Sequence, residues 1–504
     1  MYDDSEYRQN IRKYATCDVL KHYAKESIDV YNNTGNNVKF ENVPIYNKKT
    51  GTRIKIHRFN IAQWDLLEIC FNSIKYSNDY RNKEIDSNAH YNLINLTKIR
   101  SEKLENAISL SKENIIQHLL CIANMEFDLE QITIKNKFNR IYHIMTNINK
   151  NPKYNQTEKV CYINFSKEFY KITGFDYDTY IRGYFIICAL VIGLKEPDIL
   201  SIIERIDFDI SSFGITKKQL LKIISFQSRK YEFYRSYDNW NILKYFPIVQ
   251  TTKESRYIVS NISALLICFS ESMYWTIRNY YCEIESRNFT SYFGYCFEFY
   301  LDELFKTYNI NAQKLKETNN EKRPDWKLET EKYIFYIEQK AGLYPMETRS
   351  IISKKRLDTL NNYINLNIKK AFVQLNNYSE KTDKKIIRIC LTFEMIYFPE
   401  EVQELVLHKI KLMGEEYLNW IISINEFEKL IYMLSIDKNK FNNIIDKKIE
   451  LEKNKSKDGR GFDSLLEKEK NDYISNKINY FDDYIRKYKK EWIWYFEISI
   501  FFIM

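Results

Sequence analysis

The segment RPDWKLETEKYIFYIEQKAG, residues 323–342, constrains the fold more tightly than any other part of this chain. WKLE and YIFYIEQK read as two strands joined by a polar Thr-Glu-Lys turn. Side chains alternate along a strand with period two, so Ile334, Tyr336, Glu338 and Lys340 share one face. That face is apolar until its last two positions, where an acid and a base stand together. Charges are unwelcome at the end of such a run unless they are paired or used. Asp325 opens the partner strand, and the hairpin brings it beside Glu338. The plain alternative is a surface hairpin with an ordinary ion pair.

The flanking segments extend the pattern. GYCFEFYLDELF (294–305) reads as a helix with Phe297, Leu301, Leu304 and Phe305 in an apolar stripe. Glu298 lies at the edge of that stripe, where an acid requires a basic partner or a metal ion. INLNIKKAFVQLNNY (364–378) reads as a second helix with Ile364, Ile368, Phe372 and Leu375 turned inward. Gln374 and Tyr378 are four apart and share a face, either as functional groups or as the polar side of an amphipathic helix. KKIIRICLTF (384–393) and WIISI (420–424) read as further core strands. Arg323 and Lys327, and the cluster Lys354, Lys355 and Arg356, are candidate phosphate contacts or plain surface.

Hard cations such as Mg²⁺ prefer oxygen ligands, and two carboxylates on adjacent strands form half of such a site. In this order the residues resemble the PD-(D/E)XK, or restriction-endonuclease-like, nuclease superfamily. The motif stands as Pro324-Asp325 followed by Glu338-Gln339-Lys340, over about residues 288–435. Glu298 matches the glutamate that members often carry on the preceding helix, and Gln374 with Tyr378 resembles the QxxxY motif of exonuclease-type branches. The resemblance implies a mixed-sheet core flanked by helices and Mg²⁺- or Mn²⁺-dependent hydrolysis of phosphodiester bonds, most naturally in DNA. It implies Glu298, Asp325 and Glu338 as metal ligands, with Asp325, Glu338 and Lys340 catalytic. Gln374 and Tyr378 would position substrate. A large helical region attached to such a core resembles bacterial host-defence proteins, an analogy of architecture only. A rival reading keeps the fold without the chemistry, as a silent module that binds nucleic acid or a partner protein.

The remainder of the chain frames this core. With 11 Gly and 7 Pro in 504 residues, long turn-rich β architecture is excluded and helices should dominate. The expected class is α plus α/β. A mainly helical region spans 1–287 with a break near 150, the nuclease-like domain spans 288–435, and a charged helical region spans 436–504. VPIYNKKTGTRIKIHRF (43–59) reads as a hairpin, and GITKKQLLKIISF as a helix capped by Thr216. YIRGYFIICALVIGL (180–194) is apolar nearly all round and reads as a buried helix, ended by Lys195, Glu196 and Pro197. A flexible break is expected at KSKDGRGF (455–462). The terminal EWIWYFEISIFFIM is too short to span a bilayer and reads as a docked element. Net charge is +9, from 76 basic and 67 acidic residues, which is compatible with nucleic acid but does not demand it. Nine scattered cysteines without a CxxC pair suggest no zinc site and read as reduced residues of a cytoplasmic protein without a membrane anchor. Homo-oligomerisation and a protein partner stay open.

Overall fold

The structure is a computed structural model. It describes the whole chain except residues 1–3, 35–37, 47–52, 107–114, 127–130, 152–160, 206–209, 253–254, 285, 316–321, 346–355, 412–417, 455–460 and 488–504. The apolar C-terminal segment, Lys354, Lys355 and most of the 455–462 break therefore lie outside the described residues.

Helices dominate, as the scarcity of Gly and Pro implies, and they carry small mixed sheets. Strands β1 (Val38–Tyr46) and β2 (Arg53–Ala62) pair antiparallel and contain the expected hairpin, extended at both ends. A second sheet, absent from the sequence reading, joins β3 (Ser228–Lys230), β4 (Ile248–Gln250) and β5 (Tyr257–Val259) in that order. Each of these strands has three residues, too few for a period-two signal to separate from the helical background.

The helix Lys217–Gln227 begins at Thr216, whose side chain and Gln219 form a reciprocal capping box. The apolar run forms the helix Tyr177–Leu194, with Lys195 in the left-handed region at its end. It is long and apolar enough to cross a membrane, but 72% of its apolar window is buried inside the protein. That burial supports the core-helix reading.

The third sheet carries the hairpin of residues 326–340. It comprises β6 (Ala312–Lys314), β7 (Trp326–Glu329), β8 (Tyr333–Lys340), β9 (Lys385–Thr392) and β10 (Leu418–Ser423). Their order is β10-β9-β8-β7-β6; β8, β9 and β10 run parallel, while β7 pairs antiparallel with both β8 and β6. Alternation sorts β8 between two layers. Tyr333, Phe335 and Ile337 join the main core with Phe297, Leu301 and Phe305 of the helix Ser286–Thr307 and Phe427 of the helix Ile424–Ile436. Ile334 and Tyr336 join a separate cluster with Leu360, Ile364, Ile368, Phe372 and Leu375. The four residues expected inward on that helix are all buried. Full burial of each such side chain is worth about 1.5–3 kcal/mol.

That second helical layer differs in detail from the expected 364–378. It starts earlier, as Arg356–Ile364, passes through a π turn at Asn365–Lys369, and finishes as Lys370–Asn376. Tyr378 thus falls beyond the helix end. The main core also takes side chains from both sides of residues 150, 287 and 435, among them Phe138, Tyr184, Phe269, Phe297, Phe441 and Phe481.

Candidate active site

Backbone register assembles the cluster. Trp326 of β7 stands opposite Ile337 of β8, so one step outward sets Asp325 across from Glu338. Opposed residues of an antiparallel pair share a face. Asp325 Oδ2 accepts from the Gln339 backbone N–H at 2.8 Å, which ties the strand ends together. Gln339 itself points to the other face, where its Oε1 accepts from Trp326 Nε1 at 3.3 Å.

Glu338 is 3% exposed, and its two oxygens are held separately. Oε1 accepts from Lys340 Nζ at 2.6 Å, and Oε2 accepts from Gln374 Nε2 at 2.8 Å. Gln374 Nε2 also donates to the Arg323 carbonyl at 2.6 Å. One amide therefore links the flanking helix to both arms of the hairpin. Below the cluster lies Cys390 of β9, in register with Glu338, with its thiol pushed up to about 12 by burial.

Electrostatics follow from this crowding. Burial first, and the Glu338 carboxylate second, push the Asp325 carboxyl well above the usual range, with Glu298 adding to the effect. The Gln339 amide and Lys340 oppose the shift without cancelling it. Burial disfavours the Lys340 charge, but Glu338 and Asp325 outweigh it and hold the ammonium above its ordinary value. Lys340 is therefore protonated at neutral pH.

Glu298 and Tyr378 each have a further partner of their own. Glu298 lies on the Ser286–Thr307 helix, and its Oε1 accepts from Lys314 Nζ of β6. Among the described residues, no group of three His, Cys, Asp or Glu side chains is arranged to hold a metal ion. Gln374 reaches the acid, whereas Tyr378 sets its ring edge-on to Tyr336 at 5.0 Å, with the Arg323 guanidinium 5.9 Å from its centroid. The separation arises because the last helical hydrogen bond runs from Asn377 N to Val373 O, before Tyr378. Lys327 pairs with Glu380 and Glu329, which makes it a surface cross-link of the hairpin.

Two contacts were missed at the level of sequence. Lys314 sits on a three-residue strand that carries no pattern of its own. Gly342, just past Lys340, lies close enough to the π turn that an added Cβ would meet Asn367 Oδ1 at 2.9 Å. Its carbonyl accepts from Tyr363 Oη at 3.0 Å, so the strand exit is pinned to the Gln374 helix. The Ala-Gly pair after the strand is the only sequence sign of this close approach.

No family model matches the chain, and neither a curated protein nor a solved structure matches it.

Proposed function

We propose that this protein is a divalent-cation-dependent nuclease of the PD-(D/E)XK type that cleaves DNA. The observation that carries the reading is Glu338, held between Lys340 and Gln374 on the face shared with Asp325. A hairpin acid, a strand acid, a lysine two residues on and a helix glutamine meet at one strand end, in the order the family motif has. An incidental surface ion pair gives no reason for a glutamine from a different helix to bind the same buried carboxylate.

The donor chemistry suits a hard cation. Asp325 and Glu338 offer carboxylate oxygens across one strand pair, and the upward push on Asp325 reflects negative charge that a bound cation would relieve. Glu298 would join them by giving up its pairing with Lys314. Bound Mg²⁺ or Mn²⁺ would polarise the scissile phosphate and lower the pKa of an attacking water. Lys340, which keeps its proton, would stabilise negative charge developing on the phosphoryl oxygens. Gln374 would fix the orientation of Glu338.

One observation favours the silent-module reading: Glu298 is engaged by Lys314. Titration of Mg²⁺ and Mn²⁺ against labelled linear, nicked and supercoiled DNA, with RNA as competitor, separates the readings. Metal-dependent product supports the nuclease. Saturable binding with no product at any metal concentration supports the module.

A further inference from the structure

A cavity of about 340 Å³ opens in the helical half, and none of its lining residues belongs to the carboxylate cluster. One wall is the helix Ile262–Ile284, and the other is the segment from Phe226 to Phe246. The volume falls at the lower end of the range of small-molecule sites, which are largely apolar with a few placed polar groups. Phe226, Phe246, Tyr245 and Trp275 supply the aromatic surface.

The polar groups differ in how far the protein already satisfies them. Glu271 is 2% exposed and is compensated by Lys137 Nζ at 2.5 Å and Trp275 Nε1 at 2.6 Å. Glu283 is exposed to solvent at the rim. Arg229 is different. Its guanidinium lies 4.0 Å from the Phe246 ring centroid, and Nη1 donates to the carbonyls of Phe226 and Ser228 at 2.9 and 2.7 Å. Among the described residues it makes no ion pair, and its Nε and Nη2 donate no hydrogen bond. Burial pulls its pKa below the ordinary value, a cost that a nearby anion would offset. A second cation, Lys244, lines the same space and is 1% exposed.

We propose that this cavity binds a small ligand in which a planar aromatic ring is joined to one anionic group, the chemistry of a nucleoside monophosphate. The ring would lie against Trp275 and the phenylalanines, and the anion would take the open donors of Arg229. The inference does not depend on the nuclease reading.

The test uses the full-length protein in EDTA, so that no metal-loaded carboxylate cluster can contribute. AMP, GMP, CMP and UMP, their parent nucleosides, and indole-3-carboxylate are titrated by calorimetry and by thermal shift. At least one anion is expected to bind with one-to-one stoichiometry and to raise the melting temperature with concentration. The matching neutral compound should bind at least tenfold more weakly. Arg229→Met should weaken binding at least tenfold. Thr276→Phe narrows the cavity without removing a hydrogen bond of the described residues, and should abolish binding while leaving the circular dichroism spectrum unchanged. Tighter binding of the indole acid than of any nucleotide would assign the site to aromatic acids, within the same chemistry. No binding by any probe, equal binding of nucleosides and nucleotides, or full affinity in both variants would overturn the proposal.

Discussion

Gln374 Nε2 lies 2.8 Å from Glu338 Oε2, so a helix on one layer of the sheet fixes a buried carboxylate at the end of the central β8 strand. The resemblance implied that Gln374 and Tyr378 together position substrate. The structure divides them: Gln374 holds the acid, and Tyr378 packs on Tyr336. Partners that orient a metal ligand typically change metal affinity by about 10–100-fold when removed. Gln374→Ala should therefore lower Mn²⁺ affinity by about that factor, and Tyr378→Phe should leave it unchanged. Calorimetric titration of both variants checks this, and equal affinities would contradict the division.

Asp325→Asn should stabilise the metal-free protein while abolishing cleavage. The substitution removes one of two neighbouring acids whose repulsion and burial raise the Asp325 pKa. Urea unfolding in EDTA is expected to show equal or greater stability than wild type. A loss beyond about 1 kcal/mol would contradict the repulsion account.

Lys137 bridges two buried acids, Glu271 on the helical side and Glu394 just past β9, at 2.5 and 3.2 Å. Glu394 in turn accepts from the backbone N–H of Tyr344, beyond the β8 exit. Removing one partner of a buried charge pair leaves an uncompensated charge and costs about 3–5 kcal/mol. Lys137→Met should lose stability on that scale in chemical denaturation, and adding Glu271→Gln and Glu394→Gln should restore part of it. A cost below about 1 kcal/mol would show that the bridge is dispensable.

Glu426 closes the capping box with Ser423 at the start of the helix after β10. Burial, with Asp463 and Glu400 adding to it, raises its pKa from 4.5 to about 7, against the Ser423 hydrogen bonds. The folded state thus favours the protonated acid. The stability it contributes is complete below the unfolded pKa and is lost as pH rises through the folded one. Glu426→Gln should flatten the fall in stability between pH 4.5 and about 7 and leave a more stable protein above that window. Parallel stability–pH curves for wild type and variant would contradict the assignment.

The hairpin was legible because β8 is a short unbroken run of large apolar residues, Tyr333 to Ile337, bounded by a polar turn on one side and by Glu338, Gln339 and Lys340 on the other. The following helix was legible through the helical spacing of Ile364, Ile368, Phe372 and Leu375. Its end was not, because stopping at Asn376 depends on hydrogen bonding rather than on any Pro or Gly in the sequence. The β3–β5 sheet was hidden by its three-residue strands. The pairing of Glu298 with Lys314 is a tertiary contact between a helix and an edge strand, and only the folded chain reveals it.

The central claim is tested most directly by plasmid cleavage. Purified wild type, Glu338→Gln and Lys340→Met are incubated with supercoiled DNA in Mg²⁺, in Mn²⁺ and in EDTA. Wild type is expected to produce nicked or linear DNA only with metal, and both variants should be at least 100-fold slower while keeping the wild-type circular dichroism spectrum under the assay conditions. Absence of metal-dependent cleavage by wild type, or undiminished cleavage by either variant, would contradict the assignment of Glu338 and Lys340 to a nuclease site.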